Sequence, residues 1–178
     1  MDSFFIRRER SGDADAISEV HFQAFGQDGE ARLVNALRAD GDYIRNLSLV
    51  AVAGTRIIGH ILFPPIAIVS ETAETAALAL APLAVHQDFQ CLGVGAALVR
   101  EGLDECRRRG HRIVVVVGHP GYYPKFGFVE ARKFGLQAPF PCPDEAFMAL
   151  PLCGGALDGI SGTIRYPPAF DAVGAHTS

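Results

Sequence analysis

The apolar positions of this chain follow two periods, one near two residues and one near 3.6, which predicts a domain that mixes strands with helices. Phe4 to Arg8 is predicted to be a first strand, and Ser11-Gly12-Asp13 then marks a helix start before an apolar stripe. A second helix is predicted from about Asp28 to Ala39. The chain therefore opens with a strand and two helices.

The next segment predicts antiparallel strands. Leu47–Ala53 and Arg56–Phe63 are rich in strand-forming residues and are separated by Gly54-Thr55, a pattern typical of a hairpin. Pro64-Pro65 interrupts the pattern before Ile66–Val69, because proline cannot donate a backbone hydrogen bond to a sheet. The polar residues from position 70 to 75 are expected to connect to the next strand.

Two apolar runs predict buried parallel strands. Ala77–Val85 and Ile113–Val117 are almost free of polar residues, as expected of strands that are covered on both faces. An amphipathic helix is predicted between them, from about Gly93 to Arg109, so the connection should be a right-handed crossover. Phe147–Leu152 and Gly162–Tyr166 are predicted to close the fold as a strand pair.

Length and charge narrow the possible functions. The 178 residues predict one domain spanning 1–178, and the formal net charge of −4 offers no cationic surface. We therefore expect no nucleic-acid partner and no membrane partner. The chain has no apolar run of about 20 residues, so a cytoplasmic location is expected. Its four cysteines lack zinc-ligand spacing, and no metal is expected.

The segment Gln90-Cys91-Leu92-Gly93-Val94-Gly95 has the composition of an anion site. It is a glycine-rich turn that follows a buried strand and opens a helix, where backbone N–H groups lack intrahelical partners. A nucleotide P-loop is excluded because Ala96-Ala97 stands where a Lys-Ser/Thr pair is required. A dinucleotide fold is disfavoured because Leu98 occupies the place of a third small residue.

The same segment resembles the Q/R-x-x-G-x-G/A loop of GNAT acetyltransferases. Pro82-Leu83-Ala84-Val85 resembles the fourth strand of that family, Val114–Val117 the fifth, and Tyr123–Phe128 its Tyr-x-x-x-Gly-Phe segment. The resemblance covers the middle third of the chain. It implies an α/β (α+β) GNAT fold, with a mixed central sheet of about six to seven strands, splayed parallel strands 4 and 5, and about four flanking helices.

The resemblance also implies a site for acetyl-CoA or coenzyme A. Pro82 predicts a bulge or a departure from pairing in an otherwise central strand, which would free backbone groups for the pantetheine arm. The pyrophosphate would lie on the helix start. The expected cofactor-binding residues are Leu83, Ala84, Val85, Gln90, Cys91, Leu92, Gly93, Val94, Gly95, Ala96 and Tyr122.

The sequence identifies the catalytic residues less clearly than the cofactor-binding residues. Tyr123, four residues before Gly127, resembles the general acid of the family, and the adjacent Tyr122 is the alternative. Glu30 is a candidate general base, because the second helix borders the acceptor groove in this fold. The further candidates for the base are Glu71, Glu74 and His119, and a chain of water molecules is an alternative to all of them.

Two functions follow as hypotheses. The first is an N-acetyltransferase that moves an acetyl group from acetyl-CoA to a primary amine of a small molecule, protein or peptide, by direct attack in a ternary complex. The second is a non-catalytic module that binds or senses acyl-CoA. The expected partners are acyl-CoA and an amine acceptor, with a homodimer as an expectation from the family alone.

Overall fold

The computed structural model describes residues 3–41, 43 and 45–173. This part of the chain contains both helices and strands, with short 3-10 turns between several of them. The helices are α1 (Ala14–Phe25), α2 (Gly29–Asp40), α3 (Val94–Arg108) and α4 (Pro168–Val173). The strands are β1 (Phe4–Arg8), β2 (Ser48–Ala53), β3 (Arg56–Leu62), β4 (Pro65–Val69), β5 (Glu74–Ala79), β6 (Leu83–Val85), β7 (Ile113–Val117), β8 (Val129–Glu130), β9 (Leu136–Gln137), β10 (Phe147–Pro151) and β11 (Gly162–Arg165).

The strands form a four-stranded sheet and a seven-stranded mixed sheet. The first has the order β1-β2-β3-β6, and the second has the order β8-β10-β7-β5-β4-β11-β9. Strands β5 and β7 are parallel, with Leu78 opposite Val114, as the crossover through α3 predicts. The mixed α/β architecture with four flanking helices is confirmed, and the strands beyond the predicted six to seven include the two-residue β8 and β9.

The long apolar run predicted as one strand is divided at Pro82. It begins earlier, at Glu74, and the part before the break pairs with β4 and β7, whereas the part after it pairs with β3. The last bond to β7 runs from Leu80 N to Val115 O, at 2.8 Å. Ala81 N then donates to Leu62 O of β3 at 3.1 Å, and the Ala81–Pro82 peptide is cis. Strands β6 and β7 therefore separate, as predicted for the splayed pair.

Helices cover both faces of the four-stranded sheet. One apolar cluster joins α3 to the sheets, through residues such as Leu98, Leu103 and Phe63. A second cluster packs α1, α2 and α4 against the opposite face, around Ile17 and Phe170. No helix within the described residues is both long and apolar enough to cross a membrane.

The predicted closing strand pair is wrong. Strand β10 lies beside β7, and β11 lies beside β4, so the two strands occupy different positions in the seven-stranded sheet. Pairing beside β7 buries the first four residues of β10, whereas β11 stays partly exposed beside β4. The predicted loop from 70 to 75 is also shorter than expected, since Glu74 already pairs with Val69.

Candidate active site

A cleft of about 450 Å³ opens where β6 departs from β7. The end of α1, strand β6, the glycine-rich turn before α3 and the turn after β7 form its walls. The residues that line it are Ala24, Phe25, Leu83, Ala84, Val85, Phe89, Gln90, Cys91, Gly93, Gly95, Ala96, Tyr122 and Lys125. Most of the predicted cofactor-binding residues are thus brought together on one surface; Leu92 and Val94 belong to the same turn without lining the cleft.

The turn before α3 presents backbone donors to this cleft. Gly93 adopts a φ of 85°, a conformation that side chains with a Cβ rarely adopt. The first bond inside the helix runs from Ala97 N to Gly93 O, at 3.0 Å, so the N–H groups of the three preceding residues have no partner within α3. With no acidic residue in this first turn, the helix start favours an anion.

Gly95 allows the helix to approach the aromatic wall of the cleft. A Cβ at this position would lie 3.0 Å from the hydroxyl oxygen of Tyr122 and 3.5 Å from Cγ2 of Val85. On the other side of the turn, the Gln90 side-chain amide donates to Val85 O at 3.0 Å. Gln90 therefore ties the turn to β6, a structural role that the sequence motif did not indicate.

Strand β6 is bonded along one edge to β3, and no strand among the described residues pairs with its other edge. Leu62 N donates to Pro82 O at 3.1 Å, and His86 N donates to Ile58 O at 2.9 Å. Because backbone groups alternate in direction along a strand, Ala84 also faces β3, whereas Leu83 and Val85 face away from it. Of the three predicted β6 donors, the N–H groups of Leu83 and Val85 are those directed to the open edge.

The two adjacent tyrosines have different environments. Tyr122 lines the cleft and is half-buried, and burial raises the pKa of its phenol although the charge of Arg100 opposes this effect. Tyr123 is only 4% exposed and its ring packs at 5.7 Å from the ring of Phe128. A Cβ on Gly118 would lie 2.3 Å from the Tyr123 ring, so this glycine makes room for it.

Lys125 is a cleft residue that sequence reasoning missed. Its Nζ lies 3.8 Å from the centre of the Tyr122 ring, and it is the cation among the residues that line the cleft. Its position inside the Tyr-x-x-x-Gly-Phe segment was the available signal. Ala24, Phe25 and Phe89 were also missed, because nothing local in α1 or in the turn after β6 indicates that they meet β6.

None of the candidate bases is among the residues that line the cleft, although His119 O accepts the backbone N–H of Tyr122 at 3.0 Å. Glu30 is buried in the first turn of α2, with Gln27 Nε2 at 3.4 Å. Glu74 pairs with Arg165 on the seven-stranded sheet, and Glu71 is exposed in the preceding turn. His119 is exposed, and its Nδ1 accepts the Gly121 N–H at 3.4 Å. None of these contacts directs a carboxylate or imidazole to the cleft.

The fold and the cleft together define an acyltransferase-type protein. Residues 14–128 match the Acetyltransferase (GNAT) family. The N-acetyltransferase YhbS of Escherichia coli is 35% identical over 167 residues, which cover 93% of this chain and 98% of YhbS. The crystal structure of YhbS in complex with CoA superposes with a TM-score of 0.88 at 33% identity, covering 94% of this chain and 92% of that one.

A GNAT acetyltransferase of Brucella melitensis, in complex with acetyl-CoA, gives a TM-score of 0.78 at 33% identity. It covers 96% of this chain and 100% of its own. The chain belongs to the GNAT family and is an acyltransferase of that type. Among the described residues, no group of three or more His, Cys, Asp or Glu side chains could hold a metal ion.

Proposed function

We propose that this protein transfers an acetyl group from acetyl-CoA to a primary amine, by direct attack of the amine in a ternary complex. The observation that carries the proposal is the cleft between β6 and the start of α3. Backbone N–H groups of the helix start and of the β6 edge that faces away from β3 lie in this cleft together with Tyr122. CoA-bound and acetyl-CoA-bound relatives at 33% identity support the same co-substrate. We extend the proposal to residues 1–178 as one catalytic domain.

The residues of the cleft fit such a co-substrate. The N–H groups of Val94, Gly95 and Ala96 would bind the pyrophosphate at the positive end of the helix dipole. Lys125 would add a positive charge beside the pyrophosphate. When bound, acetyl-CoA supplies an activated thioester.

The open edge of β6 supplies further donors. The N–H groups of Leu83 and Val85 would hold the pantetheine amides and the thioester carbonyl. A backbone donor of this kind stabilises the negative charge that develops on a carbonyl oxygen during attack.

Of the two candidate proton donors, we favour Tyr122 because it lines the cleft. A leaving thiolate needs a proton, and the raised pKa of the Tyr122 phenol keeps it protonated at neutral pH. Its hydroxyl lies against Gly95, at the junction of the helix start and β6. Tyr123, which the sequence motif favours, remains the alternative donor.

Calorimetric titration with acetyl-CoA and with CoA tests the binding site. In Gly93→Glu the carboxylate enters the anion site, and we expect affinity to fall by about 100-fold. The matched control is Gly110→Glu at the opposite end of α3, where the glycine has a similar φ of 80° and nothing within 4 Å. Equal affinities in the two variants would exclude the helix start as the phosphate site.

Turnover is tested separately on a panel of primary amines, with the released CoA measured by chromatography. Release that depends on the amine supports the transferase. Tight CoA binding without release on any amine would instead support a module that binds or senses acyl-CoA.

A further inference from the structure

A chain of hydrogen-bonded polar side chains crosses the apolar layer between α1 and the four-stranded sheet. Nε2 of His21 lies 2.8 Å from Nδ1 of His60, and Nε2 of His60 lies 2.8 Å from Oγ of Ser48. The Ser48 hydroxyl donates to the carboxylate of Glu9, which also pairs with Arg38 at 2.8 Å. We call the four residues His21, His60, Ser48 and Glu9 the histidine chain.

The carboxylate end sets the direction of every bond in the histidine chain. Ser48 has one hydroxyl proton and gives it to Glu9, so it accepts from Nε2–H of His60. A neutral His60 then has a bare Nδ1, which accepts from Nε2–H of His21. A neutral His21 is left with a bare Nδ1, and this buried atom has no hydrogen-bond partner among the residues that the structure describes.

Both imidazoles are neutral because of their surroundings. Burial, together with the charge of Arg38, lowers the pKa of His21 to about 3. Burial, the neighbouring His21 and Arg38 hold the pKa of His60 well below its ordinary value. Buried polar groups of this kind are costly unless they are fully paired, so an unpaired basic nitrogen in this layer calls for a function.

The histidine chain is attached to two walls of the cleft. The ring of His21 stacks on the ring of Phe25, one helical turn further along α1, at 6.1 Å and 7°. Phe25 lines the cleft, as does Ala84, which lies opposite His60 in the β3–β6 pairing. The far end borders solvent, since the side chain of Arg38 is 20% exposed.

We propose that the histidine chain is a proton relay that carries the proton released on amine acetylation from the cleft to Glu9. The proposal rests on the acetyltransferase function proposed above. It supplies the base that Glu30, Glu71, Glu74 and His119 do not provide. Nδ1 of His21 is the accepting atom, and its ring lies against Phe25, which lines the cleft.

The proton balance of the reaction matches such a relay. A protonated amine and acetyl-CoA give an acetamide, a thiol and one free proton. Two N–H bonds of the protonated amine break. One proton forms the Nδ1–H bond of His21, while the proton on its Nε2 passes to Nδ1 of His60, and the other proton replaces the one that Tyr122 gives to the leaving thiolate. The Nε2 proton of His60 then passes to Ser48, whose hydroxyl proton passes to Glu9 and from there to water.

The direction of the relay is tested without turnover by long-range ¹H–¹⁵N spectra of the histidine side chains at pH 7. We expect both His21 and His60 to carry the proton on Nε2 and to have a bare Nδ1. His21→Gln and His60→Gln assign the two signals. A protonated Nδ1 on either ring would overturn the proposal, because the accepting nitrogen would then be absent.

The kinetic test uses His21→Gln, whose amide N–H still donates to His60 but cannot accept a proton. With n-butylamine, phenethylamine, spermidine and glycinamide as acceptors, we expect kcat at pH 7 to fall by about 100-fold. KM for acetyl-CoA should stay within about twofold, since the groups that bind it are untouched. The loss of kcat in the variant should become smaller as pH rises towards the pKa of the amine, because a larger fraction of the amine is then already deprotonated in solution.

Ser48→Ala interrupts the relay at a second position, and it gives the answer if His21→Gln does not fold. The control is His111→Gln, next to β7 at the end away from the cleft. A kcat loss that is the same at every pH, or no loss at all, would overturn the relay and leave the histidine chain with a structural role only. Failure of the wild type to release CoA with any amine would instead remove the proposed function, and the relay with it.

Discussion

At the scale of single residues, Gly118 allows two neighbouring tyrosines, Tyr122 and Tyr123, to have different environments. Gly118 has no side chain, so the ring of Tyr123 folds against the end of β7 and is buried in the main core. Tyr122 then has its ring in the cleft, with its hydroxyl against Gly95. The spacing to Gly127 does not reveal this difference, because it depends on how closely the turn approaches β7.

Tyr122→Phe removes the phenol that lines the cleft and keeps the ring. We expect kcat to fall by about 100-fold with little change in KM for acetyl-CoA, since a general acid acts on the leaving thiolate in the transition state. Steady-state kinetics on the best amine of the panel measure the effect. A larger loss of kcat in Tyr123→Phe than in Tyr122→Phe would return the role to Tyr123.

At the scale of elements, the position of α3 determines where the proposed anion site lies. Gly102, in the middle of α3, packs directly on Phe63, and a Cβ there would lie 2.4 Å from Cε2 of that ring. Gly59 on β3 makes similar room for the start of the helix, because its Cβ would lie 2.9 Å from Cδ1 of Leu98. Close contact at both points holds the helix start against β6.

Gly102→Ala should lower the free energy of unfolding by about 2 kcal/mol, because overpacking of Phe63 outweighs the gain in helix propensity. Denaturation in urea measures this change. The matched control is Gly29→Ala at the start of α2, where a Cβ meets only Gln27 Nε2 at 4.0 Å. We expect that variant to be neutral or stabilised, and equal destabilisation of both would exclude the contact with Phe63 as the cause.

At the scale of the whole molecule, buried charges and imidazoles join distant parts of the chain. Burial would raise the pKa of Glu105 on α3, but Arg109 and the charges of Arg8 and Arg108 outweigh burial and lower it. Arg8 reaches Glu105 from β1 at 2.7 Å. The histidine chain in turn links α1 to the four-stranded sheet.

These groups predict how stability depends on pH. The pKa values of His21 and His60 are lowered in the folded state, so below about pH 6.5 the unfolded chain binds protons that the folded chain does not. The free energy of unfolding should be highest above that pH and fall below it, by up to about 1.4 kcal/mol per pH unit for each histidine. The lowered pKa of Glu105 adds stability above about pH 4 that is lost as pH falls further.

Urea unfolding of the wild type and His21→Gln between pH 4.5 and 7.5 measures this dependence. The variant should show a shallower fall between pH 6.5 and 5, because one of the two buried imidazoles is absent. His119→Gln, which removes an exposed imidazole, is the comparison. A wild-type stability that is flat down to pH 5 would contradict the neutral state of the buried pair.

The order of strands and helices from β1 to β7 was predictable from the sequence, apart from the division of the 77–85 run into β5 and β6, because local periodicity and glycine or proline punctuation are properties of neighbouring residues. The glycine-rich turn from Gln90 to Gly95 was predictable for the same reason. The chain itself determined that a helix begins there and that Pro82 interrupts a buried strand. These features need no information about distant residues.

Contacts between distant residues were decided only by the tertiary structure. The partners of β10 and β11, the entry of Phe25 into the cleft and the inward turn of Tyr123 all depend on which elements pack together. The bond between His21 and His60 joins residues 39 positions apart, on a helix and a strand with no local signal for each other. Periodicity identifies the buried face of each element, and packing alone decides which faces meet.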